Sequence, residues 1–196
     1  MSKRYITLLS VLVLALIIFS QRGALMLRVL PAALDNSLSA NLVDNLEDGL
    51  HVSLCGAGGP MPSTNRSGAC VAVVAGKQLF VVDAGTNGAR NLGRMGFNQG
   101  QIEALLLTHF HSDHIDGLGE MAMLRWVTSN NNSPLPVYGP VGVTEVVAGF
   151  NRAYSRDAVH RNDHHGDAVA PLTGTGMTAV SFELPQNGTA LTVYQQ

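Results

Sequence analysis

Between His109 and His114 the chain places three histidines and one aspartate, in the run Thr108-His109-Phe110-His111-Ser112-Asp113-His114. Imidazole and carboxylate together suit zinc and related divalent metals. His109 and His111 are two apart, so in extended chain both side chains point to one side and can hold one ion. Ser112 and Asp113 are good helix N-cap types, and Gly117 and Gly119 follow. Asp113 and His114 therefore emerge where the chain turns, and they can reach a second ion. Two ions a few ångströms apart can activate a water and polarise the bond it attacks. That is hydrolytic chemistry.

These residues must be held by a buried strand end. Ile102–Thr108 is a continuous apolar run, as expected of a strand buried on both faces. Leu50–Cys55 reads as a strand, followed by a loop at Gly56-Ala57-Gly58-Gly59-Pro60 and Pro62. Ala69–Ala75 and Gln78–Asp83 form a hairpin around Gly76-Lys77. Short helices are expected over Gly88–Met95 and Leu118–Thr128, a strand over Leu135–Tyr138, and a helix over Val141–Tyr154. Asn162, Asp163 and Gly166 predict a loop around His160, His164 and His165. Strands first, then strand–loop–helix units, make an α/β chain of the α+β sandwich type.

The residues match a known family. The run from Thr108 to His114 resembles the His-x-His-x-Asp-His motif of the metallo-β-lactamase superfamily. Three further segments resemble its ribonuclease Z and arylsulfatase-like branch: Gly56–Pro60 with Asn65-Arg66, Val81-Val82-Asp83-Ala84-Gly85, and Val137–Gly142. The resemblance implies an αββα fold, of which this chain carries the N-terminal part. It implies two divalent metal ions, zinc first, with manganese or iron(II) also fitting. His109 and His111 would bind one ion and Asp113 and His114 the other, with Asp113 also positioning the attacking water. Asp83 and Thr108 would support the metal loop from behind, although Asp83 also reads simply as a turn aspartate. Asn65 and Arg66 would border the pocket, and His164 and His165 would shape its mouth. The family's remaining ligands come from later strands. With Thr189–Tyr194 read as a strand, the chain is expected to be truncated before them.

Composition narrows the substrate. The chain has 12 Lys+Arg against 14 Asp+Glu, and the only basic cluster, Lys3-Arg4, precedes the fourteen uncharged residues Ile6–Phe19. That is a secretory pattern, read as a signal peptide or membrane anchor over residues 1–23, with a buried helix as the alternative. Residues 24–49 then form a linker or amphipathic helix, and 50–196 the incomplete hydrolase domain. An exported location, periplasmic or anchored facing outward, follows from the charge bias. Without residues 1–23 the domain is acidic, with 9 Lys+Arg against 14 Asp+Glu. Nucleic acid partners favour a basic face, so a small ester substrate is expected over tRNA. The leading expectation is a metal-dependent hydrolase of phosphodiester or sulfate ester bonds. The alternatives are a tRNA 3′-processing endoribonuclease and a truncated product without catalysis. An exposed strand edge leaves a homodimer open. Cys55 and Cys70 sit in apolar, strand-like surroundings, which favours two buried thiols over a disulfide.

Overall fold

Alternation of apolar side chains around Gly76-Lys77 does form a hairpin in the computed structural model, and the rest of the sheet grows from it. The structure describes residues 41–195, together with 4–5, 11, 18–24, 26 and 28–29. It divides into two units, Met1–Ala40 and Asn41–Gln196, and the sheet belongs to the second. The export segment lies largely outside the described residues, as does the linker between residues 30 and 40. Among the described residues no helix is long and apolar enough to cross a membrane. Within residues 24–49, expected to be a linker or amphipathic helix, Leu42–Asn45 forms a 3-10 turn.

Six strands form one sheet in sequence order: β1 (Leu50–Gly56), β2 (Cys70–Ala75), β3 (Gln78–Val82), β4 (Ile102–Leu106), β5 (Leu135–Pro140) and β6 (Met177–Phe182). The first three pair antiparallel, and every pairing from β3 onward is parallel. The connections carry four helices: α1 (Gly88–Arg94), α2 (Ser112–Ile115), α3 (Leu118–Thr128) and α4 (Val143–His165). This is the mixed α/β architecture expected.

One face of the sheet supplies the core. Ala72, Val74, Leu79, Val81, Leu105, Leu135 and Val137 are buried with Leu92, Leu118, Met121 and Val147 from the helices. The other face is also apolar but far less covered. Leu50, Val52 and Leu54 of the edge strand β1 are 72%, 61% and 64% exposed. Val71, Val73 and Phe80 beside them are half-buried.

Four local expectations differ from the structure. First, β4 is buried on its second face only in part: Ala104 and Leu105, neighbours that point to opposite sides, are both fully buried, but Glu103 is exposed and Leu106 half-buried. Second, the segment around His160 is helix, not loop. Arg161 Nε pairs with Asp157 one turn earlier at 2.7 Å, and Asn162 Nδ2 donates to Asp167 and to the Ala170 carbonyl, so neither disrupts the helical ladder. The helix stops at Gly166, whose φ of 73° is open to glycine and whose N–H caps the Asn162 carbonyl. Third, Thr189–Tyr194 forms no strand. The Tyr194 ring meets Phe80 of β3 and Tyr138 of β5 edge-on at 5.0 and 5.7 Å. That segment therefore lies across the sheet face, where no ladder can form. Fourth, Cys55 and Cys70 are disulfide-bonded, with Cα atoms 5.0 Å apart. Burial of both residues fits thiols and a disulfide equally, and the β1–β2 pairing brings them together.

Candidate metal centre

The site is built on the ends of β3 and β4. Immediately after β3, Asp83 takes a left-handed backbone conformation (φ 60°), which turns the chain and leaves its carboxylate buried at 6% exposure. Aspartate tolerates this conformation better than most residues because its short polar side chain can bond locally. Here the bonds run to the parallel neighbour. Asp83 Oδ1 accepts from the Thr108 N–H at 2.8 Å, and Oδ2 accepts from the Thr108 hydroxyl at 2.9 Å. The same Oδ2 stands 2.8 Å from Nδ1 of His114.

These contacts decide which ring nitrogens carry protons. A carboxylate only accepts, so His114 Nδ1 must donate, which leaves its Nε2 with a free lone pair. The single Thr108 hydroxyl proton goes to Asp83. Thr108 Oγ1 must then accept from His109 Nδ1, 3.0 Å away, and the His109 Nε2 lone pair is freed as well. One buried carboxylate thus sets the tautomer of two histidines, directly and through a threonine. Metal-binding histidines need their second nitrogen fixed in this way.

The free nitrogens face other donors. His109 Nε2 is 3.1 Å from His111 Nδ1, and His114 Nε2 is 3.5 Å from Asp113 Oδ2. Nitrogens roughly 2.1 Å from a shared zinc ion stand about 3.0–3.4 Å apart, so the first pair has the spacing of two ligands on one ion. The donor set therefore fits divalent metal. It does so as two pairs: among the described residues, no three His, Cys, Asp or Glu side chains form a ready cage. Zinc takes about four ligands, so each pair would be half of a site.

Close backbone approach holds Asp113 in place. The Asp113 carbonyl accepts from Ala69 N–H at 3.0 Å, and Ala84 N–H donates to the His114 carbonyl at 2.8 Å. A Cβ on Gly85 would lie 2.1 Å from the Asp113 carbonyl oxygen, and one on Gly68 would lie 2.7 Å from it. Only glycine allows the three segments to touch. The Gly85 punctuation is visible in the sequence, but its partner across the fold is not.

A cavity of about 250 Å³ opens beside Asp113, walled by Pro60, Met61, Arg66, Thr86, Asn87 and Asp116 among others. Arg66, expected to border a pocket, lines this cavity. Its neighbour Asn65 is exposed and donates its N–H to Ser63 Oγ. His164 and His165 sit at the exposed end of α4, packed edge to face at 4.6 Å.

Residues 63–191 match the model of the metallo-beta-lactamase superfamily. The chain belongs to that superfamily. Among curated relatives it is 42% identical over 124 residues to a ribonuclease Z of Mycolicibacterium gilvum (strain PYR-GCK), covering 62% of this chain and 43% of the relative. A ribonuclease Z of Mycobacterium avium (strain 104) is 40% identical over the same length and 44% covered. The chain therefore spans less than half of the curated relatives it matches. A long-form RNase Z from yeast shares the fold, with a TM-score of 0.52 at 16% identity, over 72% of this chain and 19% of that one. The superfamily fold implies divalent metal, usually zinc.

Proposed function

We propose that this chain carries the metal-binding half of a phosphodiesterase, with the 3′ processing of tRNA precursors as its leading substrate reading. The observation that carries the reading is the Asp83–Thr108–His109 and Asp83–His114 arrangement, which leaves two ring nitrogens free for metal in a chain 42% identical to a ribonuclease Z. That similarity favours RNA over the small ester expected from composition. The relatives lend no support to a sulfate ester.

Divalent ions bound there would supply Lewis acidity and lower the pKa of a coordinated water. The protein's own part is positional. His109 with His111, and His114 with Asp113, offer donor pairs already oriented by Asp83. Asp113 is buried and points one carboxylate oxygen toward His114, so it can orient a water and take its proton transiently. Arg66, on the wall of the adjoining cavity, is a planar five-donor group suited to a phosphate oxygen pair.

A second reading, an exported phosphodiesterase acting on a smaller diester, is favoured by one observation. The Cys55–Cys70 disulfide belongs in an oxidising compartment. One experiment separates the readings. Zinc-loaded full chain is assayed on a tRNA precursor bearing a 3′ trailer and on bis(p-nitrophenyl) phosphate. Cleavage at the trailer junction supports the first reading, and turnover of the small diester alone supports the second. No turnover of either, in folded protein with two bound metals per chain, overturns both.

A further inference from the structure

The β1–β2 ladder breaks at one place. Leu54 pairs with Val71 and Gly56 with Cys70, so Cys55 is the extra residue of a bulge. Bulges interrupt ladder bonding and re-aim a side chain. Here the side chain turns inward and is joined covalently to Cys70, the first residue of β2. Both sulfur-bearing residues are almost wholly buried, at 2% and 0% exposure.

Between them runs the loop of residues 56–69, whose wall borders the cavity beside Asp113. Its tip, Met61–Arg66, is exposed, and the loop is fastened mainly at its base. There Gly58 N–H donates to the Ser67 carbonyl at 2.6 Å and Gly68 N–H to the Thr86 carbonyl at 3.2 Å. Asn91 Nδ2 reaches both the Cys55 carbonyl and Ser67 Oγ, at 2.7 and 2.9 Å. Ala69, next to Cys70, donates to the Asp113 carbonyl. All of these bonds cluster within a few residues of the two cysteines. The disulfide closes the gap that the bulge leaves in that cluster.

We propose that the Cys55–Cys70 disulfide is a positioning element, which fixes the base of the 56–69 loop so that Arg66 stands against the Asp113 pocket. The oxidised chain is then the form with a built pocket wall. The catalytic meaning of that wall rests on the phosphodiesterase reading, but the positioning itself does not.

The test is limited trypsin digestion of the full chain, produced in an oxidising compartment, before and after reduction. Arg66–Ser67 is a cleavable bond inside the loop, and Arg156 inside α4 is an internal control. A Cys55→Ala, Cys70→Ala double variant, checked for retained helix by circular dichroism, repeats the comparison without reductant. Loss of the crosslink is expected to speed cleavage after Arg66 about ten-fold or more while cleavage after Arg156 keeps its rate, since only the loop's local opening changes. With zinc and bis(p-nitrophenyl) phosphate, KM should rise several-fold with kcat little changed. Equal cleavage after Arg66 in both forms overturns the proposal. So do two free thiols titrated in the native chain. Faster cleavage after Arg66, in a chain whose oxidised form turns over no diester, upholds the positioning and sinks the phosphodiesterase reading instead.

Discussion

Asp83 and Thr108, twenty-five residues apart in sequence, are joined by backbone and side-chain hydrogen bonds, with Asp83 Oδ1 accepting the Thr108 N–H at 2.8 Å and Oδ2 the hydroxyl at 2.9 Å. The same carboxylate reaches His114, and the hydroxyl reaches His109. Metal affinity should therefore be sensitive to atoms that touch no metal.

Thr108→Val keeps the shape of the side chain and removes only the hydroxyl. His109 then loses the acceptor that fixes its tautomer. Zinc affinity, measured by competition with a chromogenic chelator, should fall about ten-fold, while the denaturation midpoint moves little. Asp83→Asn, which tolerates the same backbone conformation, should cost about 10- to 100-fold in affinity, because it replaces the carboxylate facing His114. Unchanged affinity in both variants would show that the histidine tautomers are set in some other way.

Gly85→Ala tests the contact behind Asp113. The added Cβ meets backbone, the Asp113 carbonyl oxygen at 2.1 Å, and backbone cannot swing aside as a flexible side chain can. A loss of about 2 kcal/mol or more is expected, in the range of overpacked sites. Gly59→Ala, with nothing within 4 Å of its Cβ, is the matched control and should lie within about 0.5 kcal/mol of the parent. Urea denaturation of both variants decides the point.

Arg125 is buried, with Nε donating to the Ile102 carbonyl and one terminal nitrogen to the Ser133 carbonyl, both at 2.8 Å. Burial pushes its pKa down, and the nearby Glu103 carboxylate pushes it back up. Arg125→Met fills much of the same space but leaves both carbonyls without these donors. By urea denaturation it should destabilise by about 2–4 kcal/mol. Arg125→Lys carries a single donor group and cannot serve the two carbonyls in the same geometry, so it should recover only part of the loss. Full recovery by lysine would mean that the charge matters and the fork does not.

Much of this arrangement is legible from residue types. The spacing of His109, His111, Asp113 and His114 marks the site because few structural needs place three imidazoles at one strand end. The hairpin at Gly76-Lys77 and the helix Leu118–Thr128 follow from alternation and from helical periodicity, both local properties. What sequence does not show is non-local. The Asn162–Gly166 stretch carries loop-type residues, yet Asn162 and Arg161 find partners that keep α4 running through them. Cys55 and Cys70 read as small apolar residues until the sheet register sets them side by side. The fit of Gly85 against Asp113 likewise depends on two turns meeting.

The sheet topology also bears on the order in which the molecule forms. Strands β2 and β3 join through the tight Gly76-Lys77 turn, whereas β3 reaches β4 only after α1, and β4 reaches β5 only after α3. Closing longer loops costs more chain entropy before any contact repays it, so pairings distant in sequence are slower to form. The β2–β3 hairpin is therefore the expected nucleus, with the parallel strands docking afterwards. Because Asp83 and Thr108 lie on opposite sides of the first parallel seam, the metal-binding geometry is completed only when that seam closes. A metal that favours the finished arrangement would then slow unfolding much more than it speeds folding.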